Sequence, residues 1–454
     1  MTNQFIIKLI KNISDQKEFL LKRESFIDNK KTYLFDEFFH HTFKYCDFLE
    51  DYKDSLLVIE GQTSFRSYAL ILSCFILNID FTIMLDLENK EKERRLKALN
   101  FPVIKIVDVE KIEIKYSRDF QIEKFIIMLK KYSEFNNIKS KLLIFSSGST
   151  GIPKIIAIDK YKLLESYVFT IKNKSRRILL LLLTDHIGGL NTILSTFFSF
   201  DTLVLPRSKE NIDIVEILKS SRSQILPGSP TFLNMLLTID KFNQKYLNDL
   251  RIITYGTEKM PHFVLDNLKR KFPKVKLIQT FGTSETGIVQ MRIAKNNDSI
   301  KFSNPKEFKI VNNVLYLKSS LDATYLNSEN KNSFHDGWFN TGDLVKLNED
   351  GSINITGRVK HIINVGGKKV TPQEIENIVG KLENIEDVLC YPIPNPITNQ
   401  CVALKVKAKP NGEYIKLKKS IKAEFLNYEK YKRPVLIEFV DKIPYSQRGK
   451  KIRN

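Results

Sequence analysis

Between Ser55 and Asp108 the chain changes character in a strict order. An apolar run LLVIEG is followed by the amphipathic stretch SFRSYALILSCFIL, a second apolar run FTIMLD, the charged segment KEKERRLKAL and then FPVIKIVDV. Short apolar runs alternating with stretches of helical period are the pattern of βαβ units closing on a parallel sheet, not of a helical bundle or an all-β sandwich. The rhythm returns in KLLIFSSG, RILLLLLTD, TLVLP, QILPGSP, LRIITYGTE and VKLIQTFGTSETG, each an apolar run ending in a polar loop. In open α/β sheets ligands bind just beyond the carboxyl ends of the strands, so these loops are where a site is expected.

Past residue 300 the texture shifts to short alternating strands with turn signals, NNVLYLKS and DGSINITGR. The last stretch reads as a compact α+β unit: a helix from Thr371, the strands VLCYPI and VALKVKA, a Lys-rich helix from Tyr414 to Tyr428, and a strand VLIEFVD. The expected class is therefore α/β, with a large layered N-terminal domain of mostly parallel sheets plus a β-rich region over 1–358. A small α+β domain follows over 359–454.

The 454 residues carry 72 Lys+Arg against 52 Asp+Glu, a net charge of +20, and 42% are hydrophobic. That apolar content excludes whole-chain disorder. The charge by itself suits nucleic acid, a small polyanionic substrate or a Lys-rich composition equally well. Residues 359–454 hold 19 Lys+Arg and 10 Asp+Glu, net +9, and are the more basic part per residue. The four cysteines form no CxxC pair and no zinc-like spacing with histidine, which argues against a disulfide or metal scaffold. The N-terminus lacks a signal-peptide core, and the longest apolar run, Ile178 to Leu183, spans six residues against the roughly 18 needed to cross a bilayer. A cytoplasmic protein without a membrane span is expected.

Three polar clusters carry chemistry. Ile144-Phe-Ser-Ser-Gly-Ser-Thr-Gly-Ile-Pro-Lys154 runs from a strand into glycine and hydroxyl residues and closes on a lysine. Glycines let backbone N–H groups approach phosphate oxygens, hydroxyls add donors and lysine adds charge, so the segment is built as a phosphate cradle. It is not GxxxxGK[ST], and neither GxGxxG nor GxSxG occurs in the chain, which weakens dehydrogenase and hydrolase readings. Phe281-Gly-Thr-Ser-Glu-Thr-Gly287 places one carboxylate among hydroxyls, suited to a Mg²⁺ that takes its other ligands from phosphate. Further on stand Trp338-Phe-Asn-Thr-Gly-Asp343, Gly357-Arg358-Val-Lys360 and Val365-Gly-Gly-Lys-Lys-Val370, and near the end Pro444-Tyr-Ser-Gln-Arg-Gly-Lys450. Asp343 on a tight turn suits a ribose diol.

In this order the motifs resemble the adenylate-forming superfamily, which contains acyl-CoA synthetases, firefly luciferase and the adenylation domains of nonribosomal peptide synthetases. The resemblance runs from about Leu56 to the end. It implies a small mobile C-terminal lid and a two-step reaction in which an acid and MgATP give acyl-AMP and pyrophosphate, and a thiol then takes the acyl group. Position by position, it implies that Ser146, Ser147, Gly148, Ser149, Thr150 and Gly151 hold the β- and γ-phosphates, with Lys154 closing the loop. Phe281 stands where the family usually has a Tyr packing on adenine, Gly282 and Thr283 follow it, Ser284 stands at the α-phosphate, and Glu285 is the Mg²⁺ carboxylate. Tyr255 with Gly256, Thr257 and Glu258 matches the segment flanking adenine. Asp343 matches the ribose ligand, Arg358 a nearby ribose or phosphate contact, Lys360 the hinge, and Lys450 the lysine bridging carboxylate and α-phosphate. Rotation about Lys360 would bring Gly366 and Gly367 to a pantetheine arm. Ser147, Ile155 and Phe281 depart from the usual Thr, Gly and Tyr while keeping the physical role.

For the acid, Thr184-Asp-His-Ile-Gly-Gly-Leu190 matches the segment where acyl-CoA synthetases carry a gate, with His186 on that position. Asp185, one place earlier, is the only support for the alternative of a stand-alone amino-acid adenylation enzyme loading a carrier protein. A non-catalytic nucleic-acid-binding protein rests on charge alone. The implied cofactors are ATP and Mg²⁺, the implied partners a carboxylic acid and CoA or a carrier-protein phosphopantetheine, with no nucleic acid.

Overall fold

The computed structural model describes the chain except for residues 1–2, 29–30, 103, 118–119, 134–139, 147–152, 207–209, 257, 290, 293–298, 328–333, 411, 446–450 and 454. The chain packs as two compact units. One comprises residues 1–227, 282–288 and 319–339, the other 228–281, 289–318 and 340–454.

The first unit contains the expected βαβ series. Strands Leu56–Gly61, Phe81–Leu85 and Ile104–Asp108 alternate with helices Phe65–Ile76 and Asn89–Ala98. The first helix starts at Ser64, whose side chain accepts from Ser67 N while the Ser67 hydroxyl accepts from Ser64 N, a reciprocal cap that satisfies two otherwise orphaned donors. Ile104–Asp108, Leu56–Gly61, Phe81–Leu85 and Lys141–Ser146 are parallel neighbours in that order. Lys154–Asp159 and Thr324–Tyr325 then add antiparallel at one edge. A second parallel set runs Ile225–Gly228, Arg177–Leu179, Thr202–Leu205, Glu24–Asp28, with Lys31–Leu34 antiparallel at its end.

One apolar run does not extend as its composition suggests. Of RILLLLLTD only Arg177–Leu179 is strand. Leu180 N still donates to the Val204 carbonyl at 2.9 Å, and the residues after it pass beneath the helix Ile187–Phe198, where a side chain at Gly189 would meet the Leu183 carbonyl oxygen at 2.1 Å. Glycine there lets the start of the helix lie directly on the Leu182–Leu183 backbone.

In the second unit Ile300, Phe302, Leu315, Leu317, Val345 and Ile353 form the core of the β-rich region. Residues 363–437 enclose a separate core built on Val388, Cys390, Val402, Leu404 and Val406, covered by Ile375, Val379 and Ile421 from the helices Pro372–Val379 and Tyr414–Glu424. The second of these helices is shorter than expected, passing into a 3₁₀ turn at Phe425–Asn427. The helix Pro372–Val379 lies against residues 262–263: Asn377 Oδ1 accepts from His262 N at 3.3 Å, and a Cβ on Gly380 would sit 2.4 Å from the Phe263 ring.

One buried charge stands outside any site. Lys160 is 2% exposed, and its Nζ donates to the carbonyls of Cys74, at 3.1 Å, and Ile79. Burial pushes its pKa down to about 7. Below that pH the group is charged both folded and unfolded. Above it only the unfolded chain keeps the proton, so stability gains up to ~1.4 kcal/mol per pH unit from this residue as pH rises. The stability difference between the wild type and Lys160→Met, read by urea unfolding from pH 7 to about 8.5, should grow in the wild type's favour, the cysteines that titrate in the unfolded chain near the upper end contributing equally to both. Parallel pH profiles would show that Lys160 is charged in the native state.

Candidate functional site

The phosphate-loop strands and the acidic loop meet through a residue from neither. Ser146 ends one strand opposite Lys154, which begins the next; Ser147, Gly148, Ser149, Thr150 and Gly151 between them lie outside the described residues. The edge strand Thr324–Tyr325 is sewn onto this pair: Asn327 Oδ1 accepts from Ile155 N at 2.9 Å and Asn327 Nδ2 donates to the Pro153 carbonyl at 2.8 Å. Tyr325 then faces both motifs. Its ring lies 5.5 Å from Lys154 Nζ, and its hydroxyl donates to Glu285 Oε1 at 2.7 Å. Ile155, where the family usually has Gly, is buried in the sheet opposite Phe145.

Glu285 sits on the turn between the two-residue strands Gly282–Thr283 and Gly287–Ile288. Thr283 Oγ1 accepts from the backbone N–H groups of Glu285 and Thr286, both at 3.2 Å, and Ser319 donates to the Glu285 carbonyl at 2.9 Å. The backbone is held on both sides, so the carboxylate of Glu285, 9% exposed, has a fixed origin. Ser284 beside it is also buried.

In the second unit Asp343 and Arg358 oppose each other on the strands Trp338–Leu347 and Ile353–Arg358. Arg358 Nε lies 2.6 Å from Asp343 Oδ1, and Arg358 Nη1 donates to the Thr341 carbonyl at 3.1 Å. Thr341 Oγ1 accepts from Asp343 N at 3.0 Å, completing a turn in which the expected ribose carboxylate is 3% exposed and oriented by the expected arginine. Phe281 packs edge-on to Phe302, with ring centroids 6.5 Å apart. Gly256 lies flush against Thr280, whose Oγ1 would be 2.5 Å from an added Cβ. Thr257 lies outside the described residues, while Glu258 Oε1 accepts from Thr231 N at 2.8 Å at the start of the helix Pro230–Leu237. Lys360 is exposed on the 3₁₀ turn Val359–His361. Gly366 and Gly367, with φ of 56° and 82°, are the two central residues of the hairpin joining Ile363–Val365 to Lys368–Val370. Two successive positive φ values favour glycine for the turn itself, independently of any ligand, although Asn312–Asn313 fills the same kind of two-residue turn between Val311 and Val314. Lys450 lies outside the described residues.

The profile of the family described as AMP-binding enzyme matches residues 88–314, half of the chain. The chain belongs to this family. It is 26% identical over 375 residues to the peroxisomal OPC-8:0-CoA ligase 1 of Arabidopsis thaliana, covering 73% of this chain and 67% of that protein. It is also 26% identical over 360 residues to the fatty acid–[acyl-carrier-protein] ligase MmaC of Mycobacterium marinum, covering 68% and 66%. The chain thus spans about two thirds of the curated relatives it matches. The anthranilate CoA ligase AuaEII, solved with anthranoyl-AMP, superposes with a TM-score of 0.77 over 98% of this chain and 95% of that one, at 16% identity, a likeness of fold.

Two residues of the AMP-binding enzyme acquire definite local roles. His186 caps the helix Ile187–Phe198, its Nδ1 accepting from Gly188 N at 3.2 Å, so the imidazole is oriented by the helix end. Asp185 is 4% exposed and pairs with Arg95, Nη1 to Oδ2 2.7 Å. Arg95 in turn stacks over Phe145 and donates to Glu91 at 2.8 Å. The carboxylate that alone favoured an amino-acid substrate is taken up by a buried arginine, which removes that support. Sequence reading missed Arg95 because it stands in a run of charged residues that reads as a solvated face, and missed Tyr325 because nothing around it forms a motif.

The residues present fit Mg²⁺ bound chiefly through phosphate. Glu285 is one fixed carboxylate near a lysine, and among the described residues no group of three or more His, Cys, Asp or Glu side chains gathers to cage a cation. No helix among them is long and apolar enough to cross a membrane.

Removing one member of a buried ion pair strands the other, at about 3–5 kcal/mol. Asp185→Ala leaves Arg95 with Glu91 as a remaining partner, so it should lose less than that, about 1–3 kcal/mol by urea unfolding, and Arg95→Met combined with Asp185→Leu should recover most of it. A stable Asp185→Ala protein with lost acid binding would return Asp185 to the substrate.

Proposed function

We propose that this AMP-binding enzyme activates a carboxylic acid with ATP and passes the acyl group to a thiol, either CoA or the phosphopantetheine of a carrier protein. The observation that carries the reading is the cluster Lys154–Tyr325–Glu285, which joins the phosphate loop to the acidic loop within one compact unit. In the first step a carboxylate oxygen attacks the α-phosphorus and the bond to the β-phosphate oxygen breaks, releasing pyrophosphate. In the second the thiol sulfur attacks the acyl carbon, AMP leaves with the bond electrons, and the thiol proton goes to solvent.

Two anions must meet in the first step, so positioning and charge neutralisation matter more than a general base. Lys154 and the hydroxyl and glycine segment that precedes it have the role of binding the β- and γ-phosphates, and Asp343, oriented by Arg358, takes the ribose diol. Phe281 and Gly256 border adenine, and Glu285 holds Mg²⁺, which when bound supplies positive charge to the phosphates. Lys450 bridges the carboxylate and α-phosphate. Residues 359–454 act as the lid, turning about Lys360 so that the Gly366–Gly367 hairpin replaces Lys450 beside the thiol; the separate core of this region supports that division. His186, held by its cap, is the wall residue at the acid.

The relatives' names include both a CoA ligase and an acyl-carrier-protein ligase. The surplus of +9 in residues 359–454 suits either the phosphates of CoA or an acidic carrier surface. Fatty or aryl acids are the proposed substrates and the cytoplasm the proposed location.

Acid-dependent ATP–pyrophosphate exchange across fatty, aryl and amino acids, with CoA and acyl carrier protein as acceptors, tests the proposal. Exchange with at least one non-amino acid is expected, and none with any acid would end it. Lys450→Ala should lose about 10²-fold in exchange while thioester formation from supplied acyl-AMP stays within about two-fold. Equal loss in both halves would show that Lys450 does not have this role.

A further inference from the structure

The residues on either side of 446–450 are tied to a single carboxylate. Asp387, at the start of the long strand Ile385–Asn395, accepts at Oδ2 from the Tyr445 hydroxyl and at Oδ1 from Lys451 Nζ at 2.8 Å. Tyr445 and Lys451 face each other as an antiparallel bridge, and Ile452 N donates to the Pro444 carbonyl at 3.0 Å. The outgoing chain is pinned twice more. Lys451 Nζ donates to the Val388 carbonyl at 2.6 Å, while Arg453 pairs with Glu376 and donates to the Cys390 carbonyl at 3.1 Å. Glu376 Oε1 also accepts from Cys390 N at 2.9 Å, which fixes the carboxylate on the same strand.

These are enclosed charges. The side chains of Lys451 and Asp387 are 10% and 8% exposed, those of Arg453 and Glu376 12% and 6%. Burial pulls the Lys451 pKa down, and the Asp387 and Glu376 carboxylates more than reverse it, so the ammonium stays charged. Two adjacent buried ion pairs at the last turn of a chain are costly to desolvate and are poor devices for stability alone. Their geometry has a more specific consequence: both sides of a five-residue connection are held at one point of the sheet.

We propose that Asp387 is a positioning residue for adenylation, bracing through Tyr445 and Lys451 the stem from which Lys450 is presented, with Glu376–Arg453 as the second anchor. The proposal rests on the role given to Lys450 above. Lys451 and Arg453, just past the Pro444–Lys450 motif, are then the anchors of the lysine beside them.

Asp387→Asn keeps the side chain's shape but removes the charge that holds Lys451. In the full-length protein trypsin should cut after Arg448 and Lys450 at least about ten-fold faster than in the wild type, because the stem opens without global unfolding. With the acid that exchanges fastest, kcat for adenylation should fall about 10- to 100-fold with KM for ATP little changed, the scale expected for a misplaced catalytic group. Thioester formation from supplied acyl-AMP should stay within about two-fold, and Asp387→Asn combined with Lys450→Ala should be no slower in exchange than Lys450→Ala alone. Tyr445→Phe, which removes only one tie, should show the same pattern more weakly. An unchanged trypsin rate in Asp387→Asn overturns the brace whatever Lys450 does. Equal loss in both half-reactions, or additivity with Lys450→Ala, overturns its role in positioning. If Lys450→Ala leaves exchange intact, the reading of Lys450 fails and the positioning claim with it, while proteolysis still decides whether the brace exists.

Discussion

The antiparallel pairing of Thr324–Tyr325 with Lys154–Asp159 joins distant parts of the chain, 172 residues apart at the bond from Ile155 N to Asn327. Much of the candidate chemistry of the first unit hangs from it. The last of the parallel strands ends at Ser146, where the hydroxyl and glycine segment begins, but parallel order by itself brings nothing across to Lys154 on the strand that follows. Adding one short antiparallel strand brings in Tyr325, and Tyr325 reaches both the lysine that closes the phosphate loop and the carboxylate on the next polar turn. Backbone hydrogen bonds thus convert two separate sequence motifs into one cluster.

A second theme is the conversion of surface-looking charge into buried pairs. Arg95 with Asp185, Lys451 with Asp387 and Arg453 with Glu376 all lie largely out of solvent. Each is expensive to desolvate, and each is tolerated where a backbone segment must be held in one place. Arg95 sits under Phe145, just before the phosphate loop; Lys451 and Arg453 follow the C-terminal basic motif. Each such pair contributes no net charge, so the surplus of +20 resides in the other basic residues of the chain.

The alternation of strand and helix was legible because burial on both faces of a parallel sheet forces near-continuous apolar runs, as in Leu56–Gly61 and Phe81–Leu85, whereas the edge strand Ile104–Asp108 exposes Lys105 and Ile106. RILLLLLTD misled. Apolar composition does not set strand length, and the Leu182–Leu183 backbone lies against the helix that starts after His186 rather than continuing the strand. Gly366–Gly367 was legible as special, yet its backbone requirement comes from a two-residue hairpin that composition does not reveal. Asp343 and Arg358 were each visible as motif residues, and their pairing required knowing the register of two strands.

The sequence by itself determined the α/β class, the order of the polar loops and the kinds of group each loop offers, because periodicity and residue chemistry are local properties. Tertiary structure decided which of those groups share a partner. It gave Asp185 to Arg95, Glu285 to Tyr325, and Asp387 to Tyr445 and Lys451. An ion pair or a hydrogen bond depends on a few ångströms in space, and only the packing of distant segments sets that distance.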